Sequence, residues 1–233
     1  MTSTKIQAEK VSEEDWLTAR QTLLVREKEL ARLRDDIAQA RRDLPWRAVK
    51  EDYLFSGSDG DKRLSELFAV KSQLITYHFM YGPDWEEGCK SCSFWADQYD
   101  AINLHIGARD VSLAVISQAP WQVFQGFKER MGWRFNWLSS AGNSFNSDYQ
   151  VSFPDQKTGI YNYRETSVME EQPGLSVFLK AENGDIFHTY STYARGLDPL
   201  NATDQMLDLV PRGRDEAGLN YGMEWVRLHD QYV

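Results

Sequence analysis

Both cysteines of the chain lie in one stretch, and the residues around them constrain the fold more than any other part of the sequence. Cys89 and Cys92 are separated by two residues. The apolar run from Leu74 to Tyr81 before them is typical of a buried strand. Gly82-Pro83 indicates a turn, and residues 92 to 102 place apolar side chains at helical spacing. The sequence therefore predicts a strand, a loop and a helix, with the C-x-x-C pair at the N-terminus of that helix.

This layout suits the chemistry of a dithiol. A helix N-terminus offers unpaired amides and a partial positive charge, and both stabilise a thiolate at Cys89. Cys92 follows one turn later on the same side of the helix, within reach of a disulfide with Cys89. We therefore expect Cys89 to attack a disulfide and Cys92 to resolve the mixed disulfide that forms. No organic cofactor and no metal are expected in this chemistry.

Composition and charge narrow the class of protein. A chain of 233 residues with 42% hydrophobic residues can bury one large domain. The net charge of −9 argues against nucleic-acid and anionic-membrane partners, which call for basic patches. Neither a membrane-spanning run nor an apolar signal core is recognisable, so the expected location is the cytoplasm. In that compartment a cysteine pair is more often reactive, metal-binding or inert than a structural disulfide.

The first part of the chain predicts a long helix. Residues 1–11 are predicted to be disordered, and Ser12 with Asp15 resembles a capping box. The helix runs from about Glu13 to about Asp43 and ends before Pro45. Its apolar side chains recur every seven residues, and part of a second seam follows the same period. They are Trp16, Leu23, Leu30, Ile37 and Leu44, with Ala19, Leu33 and Ala40 in the second seam. Two interpretations stay open: the helix lies on its own domain, or it packs on a second subunit in a homodimer.

The rest of the chain predicts an α/β domain. A second buried strand at 110–117, a helix from Pro120 to Gly132 and a strand at 133–138 continue the alternation, which favours parallel strands covered by helices. Residues 139–172 are polar with scattered aromatics and are predicted to form an ordered insertion. Asn183-Gly184 between two alternating runs predicts a β-hairpin over 175–193. We expect an N-terminal helical extension over 1–45 and one domain over 46–233.

With these elements in place, the chain resembles the thioredoxin-like superfamily. More narrowly, it resembles the bacterial family known as domain of unknown function 899, described as predicted dithiol-disulfide oxidoreductases. Three segments carry the resemblance: Tyr77–Tyr81 with Gly88–Asp97, the hairpin Gly174–Gly196, and the tail Gly213–Glu216 with Trp225–Tyr232. It covers nearly the whole chain. It implies a central mixed sheet flanked by helices, with Cys89 as the attacking thiol and Cys92 as the resolving thiol.

Two further residues are candidates for contact with the substrate. Thioredoxin-like sites place a cis-proline before the strand that faces the dithiol, and the resemblance gives Pro173 that position. Trp85 lies in the loop before Cys89, where it is expected either to line the site or to pack in the core. The expected partners are a protein or small-molecule disulfide or thiol and a reductant of unknown identity.

Several rival interpretations remain at this stage. A lone C-x-x-C is also half a zinc site, although no second pair of ligands is present in the sequence. A peroxidase of the peroxiredoxin type is the nearest enzymatic alternative. Its Pro-x-x-x-Thr-x-x-Cys loop is not matched, because Glu86 stands at the threonine position and Gly82 at the proline position. The last alternative is a non-catalytic dimeric binding module on the same fold.

Overall fold

The computed structural model describes residues 8–232, so the disorder predicted for the first seven residues lies outside the described part of the chain. The helices are α1 (Glu13–Arg42), α2 (Leu64–Leu67), α3 (Lys90–Ala96), α4 (Tyr99–Gly107), α5 (Trp121–Arg130), α6 (Phe145–Asp148) and α7 (Ala202–Leu207). Two 3-10 helices lie at Ala194–Leu200 and His229–Gln231.

The strands are β1 (Arg47–Val49), β2 (Leu54–Gly57), β3 (Gly60–Arg63), β4 (Gln73–His78), β5 (Val111–Ser117), β6 (Asn136–Ser139), β7 (Thr158–Tyr161), β8 (Arg164–Ser167), β9 (Gly174–Lys180) and β10 (Ile186–Tyr193). Eight of them form one sheet in the order β1-β10-β9-β4-β5-β6-β2-β3, while β7 and β8 pair separately.

The centre of the sheet has the predicted mixed topology. β4, β5 and β6 are parallel, with Gln73 opposite Val111 and Ala114 opposite Asn136. β9 then runs antiparallel to β4, and β10 antiparallel to β9. A parallel β4-α-β5 unit joined to an antiparallel hairpin, with the dithiol at the start of the first helix, is a thioredoxin-like fold. The predicted fold class is therefore confirmed.

Each face of the sheet buries a separate core, because successive side chains of a strand point to opposite faces. On one face Tyr77 and Val115 pack against α3, α4 and α5 in a core that also buries Cys92. On the other face Leu74, Ile116 and Phe178 pack against α2 and α6. The dithiol therefore belongs to the first face.

His78 lies on the opposite face from the dithiol, as a buried residue of β4. Its ring nitrogens hydrogen-bond Asn146 Oδ1 at 3.2 Å and Ser176 Oγ at 2.9 Å. Burial lowers the pKa of His78 to about 4, so the ring is neutral at pH 7. It is a hydrogen-bonded core histidine, remote from the sulfur chemistry.

Helix α1 is well formed but is not part of either core. Ser12 Oγ accepts a hydrogen bond from the Asp15 amide at 3.1 Å, as the capping pattern predicts. No residue of the helix is buried. Near its C-terminal end Arg41 lies over the Tyr190 ring at 5.3 Å. The interpretation that the apolar stripe of α1 lies on its own domain is therefore wrong.

The segment between β6 and β9 is ordered and packs its aromatic side chains on the sheet. Phe145 and Tyr149 join the second core beside Phe178. Phe153 and Tyr161 form a smaller cluster with Val151 and Tyr193. The segment thus covers part of the hairpin that β9 and β10 form.

β1, at one edge of the sheet, has no counterpart among the predicted strands. β1 pairs with β10, with Ala48 opposite Phe187, although three residues after a proline carry no clear strand pattern. β2 and β3 form a hairpin that extends the sheet beyond β6, because Ser56 pairs with Ser139. The strand predicted at 133–138 begins only at Asn136. Trp133 and Phe135 instead pack into the first core before the strand starts.

Candidate active site

The loop after β4 places the two cysteines against the end of that strand. The Cys89 amide donates to the Met80 carbonyl at 3.2 Å, and the Met80 amide donates to Cys92 Sγ at 3.4 Å. The start of the loop is also fixed to the segment after β5, because the Ala119 amide donates to the Tyr81 carbonyl at 2.9 Å. The dithiol therefore sits at the carboxyl ends of β4 and β5, where α/β folds commonly bind ligands.

Gly88 allows the loop to approach the core closely. A Cβ at this position would lie 2.8 Å from ring carbons of both Phe79 and Phe127. Two aromatic rings of the first core thus leave no room for a side chain on the residue that precedes Cys89.

Cys89 is the N-cap residue of α3 and is partly exposed. The pKa of the Cys89 thiol is lowered to about 6, first by a hydrogen bond from the Cys92 thiol. Burial opposes that effect, and hydrogen bonds from the backbone amides of Cys92 and Ser91 and from the Ser91 hydroxyl add to it. A thiol with this pKa is mostly thiolate at pH 7, which is the reactive form.

Cys92 is buried in the first core, 1% exposed. Burial raises the pKa of the Cys92 thiol well above its ordinary value, and negative charge on Cys89 adds to the rise. The Tyr77 hydroxyl and the Met80 amide are hydrogen-bond donors to its sulfur. Both cysteines are free thiols, so the structure is that of the reduced dithiol. The arrangement can hold one thiolate at the surface and one protonated thiol directly behind it.

A cavity of about 360 Å³ borders the buried cysteine. Ser91 and Cys92 line it together with apolar side chains from β4, α3 and the segment after β10. The apolar and aromatic lining residues are Tyr77, Met80, Trp95, Pro173, Ala194, Leu197, Tyr221 and Met223. Its volume lies in the range typical of small-molecule sites.

The two predicted substrate-contact residues lie in different places. Pro173 directly precedes β9 and lines the cavity with Cys92. All peptide bonds within residues 8–232 are trans, so the cis bond implied for Pro173 is absent. Trp85 packs against the first core and folds back on Gly82, where a Cβ would lie 2.7 Å from its indole nitrogen. Trp85 is not among the residues that line the cavity.

The insertion supports the wall of the cavity through Tyr161. The Tyr161 hydroxyl donates to the Pro173 carbonyl at 2.8 Å and accepts from the Ala194 amide at 3.0 Å. Pro173 and Ala194 both line the cavity. One buried phenol therefore joins the two segments that flank the hairpin next to the dithiol.

Residues 211–232, hereafter the tail, cross the same side of the molecule. Lys90 Nζ donates to the Glu224 carbonyl at 2.9 Å, so this lysine is tied to the tail. Arg214, Glu216, Tyr221, Gly222 and Met223 of the tail line the cavity. Sequence reasoning did not assign these residues to the site, and neither periodicity nor a motif connects them to Cys89.

The sequence matches the family described as "Bacterial protein of unknown function (DUF899)" over residues 6–232. The chain belongs to the DUF899 family. This match confirms the resemblance carried by the dithiol, the hairpin and the tail. No curated protein matches the chain in sequence at a significant level.

Solved structures of similar fold are distant from this DUF899 chain. Peroxiredoxin Q of Xanthomonas campestris is 15% identical, with a TM-score of 0.45 over 67% of this chain and 94% of its own. Peroxidoxin BcpB of Mycobacterium tuberculosis is 14% identical, with a TM-score of 0.46 over 69% and 95%. A putative thiol:disulfide interchange protein DsbE of Chlorobium tepidum is 13% identical, with a TM-score of 0.42 over 71% and 96%. The fold assignment rests on the strand order of this chain itself.

Within 8–232, no group of three or more His, Cys, Asp or Glu side chains is arranged to hold a metal ion. Over the same residues, none of the helices combines the length and the apolar character needed to cross a bilayer.

Proposed function

We propose that this DUF899 protein is a thiol-disulfide oxidoreductase that uses Cys89 and Cys92 without an organic cofactor. The observation that carries the proposal is the pairing of a stabilised thiolate at the N-cap of α3 with a buried, protonated thiol one turn later. The two cysteines differ in exactly the property that their two roles require, because only a thiolate attacks.

The first step joins the Cys89 sulfur to one half of the substrate in a mixed disulfide. The Cys89 thiolate attacks one substrate sulfur, a bond forms between these atoms, and the substrate S–S bond breaks. The other substrate half leaves as a thiolate and takes up a proton from solvent. Ser91 and Cys92 lower the pKa of Cys89 and so favour the thiolate that attacks.

The second step closes the protein disulfide. Cys92 loses its proton and attacks Cys89 Sγ, and the bond between Cys89 and the substrate sulfur breaks. The second substrate half leaves as a thiolate and takes up the proton that Cys92 released. The substrate gains two electrons, and the Cys89–Cys92 pair loses two. Once Cys89 has formed the mixed disulfide, its negative charge no longer raises the pKa of Cys92. The Tyr77 hydroxyl and the Met80 amide then stabilise the new thiolate.

The direct test is a redox titration of the purified protein in graded glutathione buffers. Thiol trapping followed by intact mass measures the fraction of molecules that carry the disulfide. We expect one reversible two-electron transition in the wild type and none in Cys89→Ser or Cys92→Ser. An unreactive pair of thiols in the folded wild-type protein would reject the proposal.

The same variants separate the rival functions. Hydrogen peroxide consumed by the wild type as fast as disulfides, and not by Cys89→Ser, would favour a peroxidase. A cellular function that survives Cys89→Ser unchanged would favour the non-catalytic binding module. A dithiol of this kind also needs a reductant in its compartment, which is consistent with the cytoplasmic location we propose.

A further inference from the structure

The space next to the dithiol restricts which disulfides can reach it. Ser91, two residues after Cys89, lines the 360 Å³ cavity together with Cys92, whereas Cys89 itself lies outside the lining. The cavity walls are mainly apolar, and Trp95 and Leu197 lie at its inner side as buried residues. Trp95 Nε1 donates to the Leu197 carbonyl at 3.0 Å, which closes that side.

The tail lies along α3 beside the dithiol, where it would obstruct the approach of a protein substrate. A disulfide within a polypeptide brings backbone on both sides of each sulfur, so it needs open surface around Cys89. On one side of Cys89 this surface is reduced by the tail, which contacts α3, the residue after α3 and α5, whereas the loop before Cys89 stays exposed. These contacts are Lys90 with Glu224 (2.9 Å), Phe94 with Trp225 (ring centroids 5.5 Å), Asp97 with His229 (2.6 Å) and Arg130 with Asp230 (2.7 Å).

The charged part of the cavity wall is acidic in balance. Its charged residues are Asp198, Asp204, Glu216, Arg195 and Arg214. The Arg214 guanidinium donates to both carboxylate oxygens of Asp208 at 2.8 Å and lies 3.4 Å from Asp204. Arg195 pairs with Asp198 at 3.0 Å. Both cations are thus already engaged, and an anionic ligand would meet an excess of carboxylates.

We propose that the substrate is a low-molecular-weight disulfide with neutral or cationic ends, and that protein disulfides are excluded by the tail. This inference rests on the proposed oxidoreductase function and assigns its substrate class. A small disulfide enters the apolar cavity beside Cys92 and presents one sulfur to Cys89. Its reduction follows the two steps above, so the products are two small thiols and the Cys89–Cys92 disulfide.

The test is a single-turnover reaction of the full-length reduced protein with four disulfides: cystamine, 2-hydroxyethyl disulfide, dithiodiglycolate and insulin. Each rate is divided by the rate at which dithiothreitol reduces the same disulfide, which corrects for differences in the intrinsic reactivity of the four disulfides. We expect cystamine and hydroxyethyl disulfide to exceed dithiodiglycolate by about tenfold, from the charge of the wall. They should exceed insulin by about a hundredfold, because its sulfurs cannot reach the attack geometry.

Two variants and one control connect the effect to the cavity. Met223→Trp fills the cavity and should slow the small disulfides by about tenfold. Met206→Trp on α7, which is 67% exposed and outside the cavity, should leave them unchanged. Glu216→Gln should bring the cystamine and dithiodiglycolate rates closer together.

If the wild type reduces insulin as fast as cystamine and shows a normal redox transition, the substrate class is wrong but the proposed function stands. Absence of that transition would instead remove the proposed function.

A second inference concerns helix α1 and is independent of the dithiol. Over its 30 residues the apolar stripe is uncovered, with Trp16 59% and Leu30 48% exposed. If Trp16, Leu23, Leu30 and Ile37 are the a positions of a heptad, three of the four d positions are Ala19, Leu33 and Ala40. Arg26 occupies the fourth. Such a seam is suited to a partner helix with the same repeat.

The flanking charges identify that partner as a second copy of the chain. In this heptad the g positions are Asp15, Thr22, Glu29 and Asp36, and the e positions five residues later are Arg20, Glu27, Arg34 and Arg41. In a parallel, in-register pair each g residue faces the e residue of the other helix. Three of these four pairs are then acid with base. In an antiparallel pair each g position faces a g position and each e position an e position, so mostly like charges would meet. We propose that α1 forms a parallel two-stranded coiled coil between two copies.

Charge exchange tests this arrangement in the full chain. Wild type should sediment as a dimer. Glu29→Arg/Asp36→Arg and Arg34→Glu/Arg41→Glu should each sediment as monomers, because their e and g positions carry like charges. A mixture of the two variants should recover a dimer, since opposite charges then face each other on both sides. A monomeric wild type, or two variants that remain dimeric alone, would overturn the proposal.

Discussion

Removing the Cys92 thiol should raise the pKa of Cys89. A hydrogen bond from that thiol is the largest influence that lowers the pKa of Cys89 to about 6. A hydrogen bond to a charged group contributes about 1.5–3 kcal/mol, and each pKa unit corresponds to about 1.4 kcal/mol. We therefore expect Cys92→Ala to raise the pKa of Cys89 to between about 7 and 8, through loss of this one donor.

The assay is the rate of alkylation by iodoacetamide between pH 4 and pH 10, followed by mass. At pH 6.5 the thiolate fraction of Cys89 should fall from about three quarters in the wild type to about a quarter or less in Cys92→Ala. Cys92→Ser is the matched control, because its hydroxyl keeps a hydrogen-bond donor at the same place. We expect its Cys89 pKa to stay near the wild-type value.

Two results would refute this reasoning. Equal pKa values in wild type and Cys92→Ala would mean that the thiol donor does not stabilise the Cys89 thiolate. Equal rises in Cys92→Ala and Cys92→Ser would mean that the packing around Cys92, and not donation to Cys89, sets the pKa.

Two further predictions concern stability. Gly88→Ala places a methyl group against Phe79 and Phe127 and should lower the free energy of unfolding by about 1–3 kcal/mol in urea titrations. Gly126→Ala, within α5 and with open space around the added carbon, should raise it by about 0.5–1 kcal/mol, and equal stabilities would contradict the assigned contacts. Burial raises the pKa of Glu171 from 4.5 to about 8, so the folded state binds a proton that the unfolded state releases. Stability from this group is complete below pH 4.5 and is lost as pH rises through 8, by up to a few kcal/mol, about 1.4 for each pH unit. Unfolding in urea at pH 5 and pH 8 should show a smaller loss in Glu171→Gln, and an identical loss would reject a buried carboxyl as its cause.

Local chemistry explains why several elements were predictable from the sequence. The hairpin over 174–193 follows from two alternating runs around Asn183-Gly184, and α1 follows from its cap and its period. The strand before the dithiol and the helix after it have similarly local signals. In each case the residues that specify the element lie within the element or directly next to it.

Other features depend on contacts between distant segments. β1 exists because β10 offers it an edge, and its three residues carry no strong strand pattern of their own. Trp85 has an aromatic side chain in a loop next to the dithiol, and only packing decides that it turns back onto Gly82. The position of α1 was equally open, since an apolar stripe does not say which surface covers it.

The sequence by itself determined that Cys89 and Cys92 stand at a helix N-terminus after a buried strand, because spacing and periodicity are local properties. Only the tertiary structure decided what surrounds them. Lys90 and Glu224 are 134 residues apart in the sequence, and their hydrogen bond attaches the tail to α3 next to the dithiol. The burial that raises the pKa of Cys92 and the position of the tail beside α3 both arise from long-range packing that no local pattern encodes.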